Sequence, residues 1–312
     1  MKKLALFGCL LCFSLVVRGQ YASHSISKYQ FNQLSINPAF SGSRDFGRME
    51  IMYYGNFVGQ FALYRGMEIS LQAPFWSSDH SHWGAQFGFE KSGAEVALSF
   101  NPSYSYAVDL AFGRLSFGGS VGFGFFDFDE SLLVNPVTDF RNFVGLNASV
   151  GVFLSSEKYF AGVSSLRIYE TDFLDDSRDV AQAFNRENPY YLSAGFQTRV
   201  SERFELRPSV LVKYADYYLL PETGDPTLPA EFAADLNLSL IMDENYYVSG
   251  IYGFSKFEDG QRITRLGFML HMLFGNIRLS YGVQNYFLPE NGTNLPASHL
   301  FSLGYRFLDE TE

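Results

Sequence analysis

Leu115-Ser116-Phe117-Gly118-Gly119-Ser120-Val121-Gly122-Phe123-Gly124-Phe125 decides how the rest of the chain reads. Nearly every odd position is apolar, and every even position is Ser or Gly. Successive side chains of a strand point to opposite faces, so this segment makes a strand with one apolar face and one face of small groups. The pattern recurs at Arg48–Phe57, where Met49, Ile51, Tyr53 and Phe57 oppose Arg48, Glu50, Tyr54 and Asn56, and at Glu68–Ala73 and Trp83–Glu90. It continues at Leu146–Leu154, Tyr190–Val200, Phe204–Tyr214, Phe232–Ile241, Leu266–Phe274, Ile277–Val283 and His299–Phe307. Weaker stretches fit at Tyr104–Leu110, Tyr159–Val163 and Tyr246–Phe254, which brings the expected strands to fourteen.

Three architectures alternate in this way. A soluble sandwich would carry charge on its outer face rather than Gly, Ser and Asn. A propeller would show a fixed repeat of about forty residues, and none occurs. A membrane barrel puts an apolar face to lipid and a polar one to its lumen, with an even strand number. Connector lengths agree with it. Phe112–Arg114, Ser155–Lys158, Ser201–Arg203, Met242–Asn245 and Gly275–Asn276 are short, while Phe126–Asn142, Leu166–Asn188, Ala215–Glu231 and Phe287–Ser298 are long. Pro74–His82 breaks the rhythm by being long where a short turn is due. The sequence therefore predicts an all-β, antiparallel, up-and-down transmembrane barrel of about fourteen strands with both termini periplasmic. Phe301, Leu303, Tyr305 and Phe307 give it an alternating aromatic last strand.

Composition points the same way. The chain holds 33 phenylalanines and 20 tyrosines, with mean hydropathy −0.04. Lys2 and Lys3 precede the apolar stretch Leu4–Val17, and Val17-Arg18-Gly19-Gln20 offers a cleavage site after Gly19: a secretory signal, too short to span the membrane as a helix. Leu6-Phe7-Gly8-Cys9 is a poor lipoprotein box. Cys9 and Cys12 lie within the signal, so disulfides and thiolate metal sites are not expected. Without Lys2, Lys3 and Arg18 the chain has 20 basic and 33 acidic residues, a net charge of −13, which argues against nucleic acid as a partner. The chain divides into a signal peptide (residues 1–19), a periplasmic or lumenal segment (20–46), the barrel (47–307) and an acidic tail (308–312).

Ahead of the first strand lies Tyr29-Gln30-Phe31-Asn32-Gln33-Leu34-Ser35-Ile36-Asn37-Pro38-Ala39-Phe40-Ser41-Gly42-Ser43-Arg44. Asn37-Pro38 favours an extended or turn backbone, and Gly42 tolerates conformations closed to other residues. The stretch resembles the N-terminal signature of the PorP/SprF family of type IX secretion system membrane proteins. Phe160-Ala161-Gly162-Val163-Ser164, Pro208-Ser209 with Lys213-Tyr214, and the terminal Leu303-Gly304-Tyr305-Arg306-Phe307 are similar to further strands of that family. Leu166-Arg167-Ile168-Tyr169 departs from its usual pattern. The resemblance implies an outer-membrane barrel of a Gram-negative bacterium that works with secretion and gliding machinery and delivers or retains secreted proteins at the surface. It implies as partners periplasmic or lipoprotein components, a secreted surface protein or adhesin, and outer-membrane lipid. On this basis Tyr29, Phe31, Asn32, Asn37, Pro38, Phe40 and Gly42 are candidate partner-binding residues; the alternative is a structural plug or strand lead-in.

Other chemistry is thin, and no cofactor, metal or catalytic residue is assigned. His80 and His82 beside Asp79 lack further ligands and read as an exposed loop. Asp127-Phe128-Asp129-Glu130 and Asp172–Asp179 lack the Gly and closing Glu of a dedicated calcium loop. No Gly-x-Ser-x-Gly elbow occurs, so an enzyme is not expected. Arg48, Glu50, Glu68, Glu90, Asp109, Arg199, Glu205, Arg207, Lys213, Asp235, Arg265 and Arg278 fall on the polar faces. They would ring an ion-selective channel or knit a filled lumen. About fourteen strands is narrower than the open 16–18-stranded porins, which favours the filled lumen over the alternative of a small-solute channel.

Overall fold

A computed structural model describes residues 26–307, apart from 59–60, 76–77, 94, 129–142, 173–185, 219–229, 258–259, 261 and 289–292. In chain order the strands are β1 (Gly47–Val58), β2 (Phe61–Phe75), β3 (Ser78–Ser92), β4 (Glu95–Leu110) and β5 (Gly113–Phe128). Then come β6 (Phe143–Ser155), β7 (Tyr159–Asp172), β8 (Arg186–Phe196), β9 (Thr198–Arg199) and β10 (Phe204–Tyr218). β11 (Glu231–Met242), β12 (Tyr246–Phe257), β13 (Arg262–Phe274), β14 (Ile277–Leu288) and β15 (Thr293–Phe307) complete the sheet. Neighbours in sequence pair antiparallel, and β1 pairs with β15 from Gly47–Phe307 to Asn56–Ser298, so the sheet closes on itself. β8 and β9 are two pieces of one stave, since both pair with β10. The break falls at Gln197, whose N–H donates to the Lys158 carbonyl at 2.7 Å instead of to the ladder. The barrel thus has fourteen staves.

All fourteen alternating stretches of the sequence fall on these staves, but most staves are longer than expected. Pro74–His82 is not a long loop: β2 runs to Phe75 and β3 begins at Ser78, so only residues 76–77 join them, and the connections before and after, 59–60 and 93–94, are equally short. His80 and His82 therefore belong to a strand rather than an exposed loop. Leu166-Arg167-Ile168-Tyr169 is likewise strand, with Arg167 at φ 55° and a register shift against β6 between Ala148 and Val150. β4 begins at Glu95, nine residues before the expected Tyr104, because Asn101-Pro102-Ser103 interrupts the hydropathy pattern without ending the strand. The export signal, the acidic tail, Asp129, Glu130 and the acids between 173 and 185 lie outside the described residues.

The burial pattern turns a soluble protein inside out. Tyr53, Phe87, Leu98, Phe117, Phe125, Leu192, Leu238, Phe301 and Leu303 are exposed on the outer face. A continuous band of this kind is tolerated against lipid and not against water. Phe87, Phe100 and Phe123 are ladder neighbours on β3, β4 and β5, with ring centroids 4.5 and 6.5 Å apart, and form one aromatic row of the band. No described helix is long and apolar enough to cross a membrane. Closure removes every sheet edge, as backbone groups in hydrocarbon require.

Strand parity places both ends of the barrel wall, Gly47 and Phe307, at the end that carries the short turns 111–112, 156–158, 243–245 and 275–276. We call it the turn end. The connections 129–142, 173–185 and 219–230 leave from the opposite, loop end.

Candidate functional site

The lumen is not empty. The chain before β1 folds into three short 3₁₀ turns, Ile26–Gln30, Gln33–Ser35 and Pro38–Ser43, laid across it. These turns follow from the sequence. Asn32 and Asn37 are both extended, at φ −145° and −147°, and the carboxamide oxygen of each accepts from the N–H two residues on, at 3.1 Å from Leu34 and 3.0 Å from Ala39. Pro38 then starts the third turn, where its missing N–H costs nothing. The motif holds one device twice, an Asn that begins a tight turn.

The other end of each amide bolts the segment to the wall. Asn32 Nδ2 donates to Ser70 Oγ on β2 at 2.8 Å, and Asn37 Nδ2 donates to the carbonyls of Val152 on β6 and Val163 on β7 at 3.0 and 3.3 Å. Ser41 Oγ meets Ser105 Oγ on β4 at 2.9 Å, and the Ser164 hydroxyl on β7 donates to the Ile36 carbonyl. The wall is recessed to receive it. A Cβ at Gly118 would strike the backbone of Ala39, one at Gly151 would strike the Asn37 carboxamide, and one at Gly84 would press on Leu34. The Gly/Ser face of Leu115–Phe125 is thus the seat of the third turn.

Three apolar contacts anchor the plug. Phe31 packs with Met52, Tyr54, Tyr64, Ile251, Met269 and Leu300. Tyr29 and Ile36 pack with Leu211 and Ala233, and Leu34, Ala39 and Phe40 with Phe153. Phe31, 1% exposed, is buried as deeply as a soluble protein's core residue. Burial, then the nearby Asp235 carboxylate, hold the Tyr29 phenol well above its usual range, so it remains a neutral hydroxyl.

Charges complete the site. The Phe31 carbonyl accepts from Arg48 at 2.9 Å and Arg278 at 2.7 Å. Both arginines also reach Glu50 Oε2, at 2.7 and 2.5 Å, and the Ser302 hydroxyl donates to the other oxygen. Gly304 lies between Arg278 and Glu50 on the ladder, and a Cβ there would crowd the Glu50 carboxylate. Lys28 pairs with Glu90 at 2.8 Å and sits 3.7 Å above the Tyr54 ring. Further round the wall, Lys213 pairs with Glu231 at 2.9 Å and Arg265 with Asp235 at 2.9 Å, all four side chains being at most 6% exposed.

Of the charges expected on the lumen face, Asp109 and Arg199 stand exposed, Arg199 with Glu205 as its partner. The other ten line the interior, knitted as ion pairs and polar contacts rather than as an open ring. All seven expected partner-binding residues, Tyr29, Phe31, Asn32, Asn37, Pro38, Phe40 and Gly42, are buried between plug and wall. The sequence did not reveal Lys28, Ser164 or the recess glycines. The one available signal was the run of Gly and Ser on the lumen face of β5. His82 is buried while His80 lies at the rim, and among the described residues no three His, Cys, Asp or Glu side chains converge to hold a metal.

A family described as type IX secretion system membrane protein PorP/SprF matches residues 19–305. No curated protein matches the chain. Among solved structures it is similar to the CymD monoaromatic hydrocarbon channel, with 11% identity and a TM-score of 0.56 over 94% of this chain and 96% of that one. It is also similar to the toluene transporter TodX of P. putida, with 10% identity and a TM-score of 0.53 over 89% and 94% of the two chains. At such identities the likeness is one of fold: an outer-membrane barrel.

Proposed function

The chain belongs to the PorP/SprF family of type IX secretion system membrane proteins, and from that premise we propose that it is a closed docking barrel rather than a pore. It is an outer-membrane barrel of the type IX secretion system. In our reading the turn end and both termini face the periplasm and contact secretion components. The longer connections of the loop end face outward and hold a secreted surface protein.

The observation that carries this reading is the plug. A lumen crossed by a segment with its own caps, recess and charged latch is built to stay shut, and a shut barrel contributes surfaces rather than a path. The seven motif residues then serve partner binding indirectly, by fixing the shape of the turn-end mouth. The chemistry proposed is non-enzymatic.

Affinity purification of the tagged barrel from its native outer membrane, followed by mass spectrometry, tests the reading. Recovery of secretion-system lipoproteins or of one large surface protein is the expected result. Recovery of the barrel alone, together with steady ion conductance in planar bilayers, would move the assignment to a channel for small solutes.

A further inference from the structure

The chain is acidic overall, yet its outward face turns basic as it nears the loop end. Among the described side chains, the charges on outward-facing strand positions are Arg65 on β2, Lys91 on β3, Asp127 on β5, Lys256 on β12 and Arg262 on β13, with Arg167 exposed at the bulge of β7. All lie toward the loop end of their staves. Arg65 and Lys91 are direct ladder partners, and so are Lys256 and Arg262. Lys91 and Asp127 are already engaged with other groups, so the argument rests on Lys256 and Arg262.

Two features mark this pair as more than a solvated rim. Both side chains are exposed while their neighbours Ser255 and Ile263 are buried on the lumen side, so two like charges stand directly opposite one another on the outer face, an arrangement that repels. Glu231 opposes Phe257 on the same ladder, but it points into the lumen and holds Lys213; Glu258, Asp259 and Glu290 lie outside the described residues. The second feature is depth. Phe232 is the ladder partner of Lys256 on β11, Phe254 lies two residues from Lys256 on the same face, and their ring centroids are 6.1 Å apart. Aromatic rings at the edge of an apolar band mark the level where hydrocarbon gives way to headgroups. Long basic side chains beside them reach that layer while their stems stay in the apolar one.

We propose that Lys256 and Arg262 together seat the phosphate of a glycolipid in the outer leaflet of the membrane. The inference rests on the reading that the loop end faces outward. Adjacent staves lie ~4.8 Å apart, so a single phosphate set between the two side chains reaches both. The guanidinium fork of Arg262 takes two of its oxygens, and the Lys256 ammonium takes a third as a point charge. A sugar phosphate monoester carries a charge close to −2 at neutral pH and cancels both cations, whereas the phosphodiester of an ordinary phospholipid carries −1 and leaves one uncompensated. The acyl chains of the same lipid then run down the outward face past Phe254 and Tyr252 on β12 and Leu266 on β13.

The test immobilises the full barrel in detergent micelles and titrates it with radiolabelled lipid A, a phosphorylated glucosamine disaccharide with acyl chains. Retention is expected to weaken at least about fivefold in K256Q/R262Q and to stay near wild type in K256R/R262K, which keeps both charges. Dephosphorylated lipid A should be held weakly and equally by wild type and K256Q/R262Q. Equal retention of lipid A by those two proteins overturns the site, and so does an equal loss in the turn-end variant K158Q, which would mark mere net charge. Full displacement by millimolar inorganic phosphate would mark an adventitious ion only. Retention of phosphatidylglycerol with the same dependence on the pair would overturn the glycolipid as its occupant. In whole cells an impermeant maleimide should label Ser92→Cys at the loop end; no labelling would overturn the orientation and this proposal with it. A barrel that holds lipid A through the pair yet recovers no secretion components would fail the functional reading and leave this one standing.

Discussion

Asn37 donates through one amide nitrogen to the carbonyls of Val152 and Val163, which are themselves paired across β6 and β7. The same side chain caps the turn beginning at Pro38 through its oxygen. One residue therefore shapes the plug and fastens it.

Asn37→Ala removes a cap, which alone costs about 0.5–2 kcal/mol, and both wall bonds with it. Asn37→Asp keeps an equally good cap but sets a carboxylate against two carbonyls, so the plug should loosen at least as much. Maleimide labelling of a cysteine at Ile36 reports this. Labelling of Asn37→Asp at the wild-type rate would show that the wall bonds hold nothing.

Gly118→Val places its Cβ against the backbone of Ala39, where no side-chain rotation relieves the clash. The third turn should leave its seat and the lumen should open. In planar bilayers the wild type should pass little current and Gly118→Val should pass a steady one. Equal conductance would mean that the plug does not seal.

Glu50 is 1% exposed and neutralises two arginines. Glu50→Ala leaves Arg48 and Arg278 facing one another without a counter-charge, a loss on the order of 3–5 kcal/mol. Arg278→Ala leaves Glu50 still paired with Arg48 and should cost less. Thermal unfolding followed by gel mobility in detergent ranks the two, and the opposite order would contradict the shared-carboxylate arrangement.

Lys213 and Glu231 form a buried pair 2.9 Å apart. Lys213→Met alone strands a buried carboxylate and should lower the unfolding temperature. Adding Glu231→Leu should restore most of it, because an apolar pair avoids the desolvation cost. A double variant no better than the single one would show that the pair is needed as charges.

Much of the barrel was legible because lipid outside and polar groups inside force a period of two on every stave. Trp83–Glu90 and Ile277–Val283 announce their faces without ambiguity. The staves' ends were less visible, since Pro74–Phe75 and Leu166–Tyr169 continue the backbone ladder where the hydropathy pattern lapses. Pairing is a property of the backbone, and side-chain patterning records it only where a face is committed to lipid. Tyr29–Arg44 stood out as a non-strand segment, but its place inside the wall depends on glycines far along the chain. Gly118 and Gly151 read in sequence as ordinary small lumen residues, and only the fold brings them against Ala39 and Asn37.

Glu50 lies on the seam where the first stave meets the last. Through Ser302 it reaches β15, through Arg278 β14, and through both arginines the carbonyl of Phe31. Joining the cylinder's two ends and seating its first residues are therefore coupled events. Until β14 and β15 arrive beside β1, the N-terminal segment lacks the Arg278 half of its latch on Phe31, and until that segment arrives, the seam's two arginines lack the Phe31 carbonyl as a partner. Biogenesis of this protein should accordingly finish in one cooperative step, with half-built cylinders recognisable by a leading segment still open to proteases.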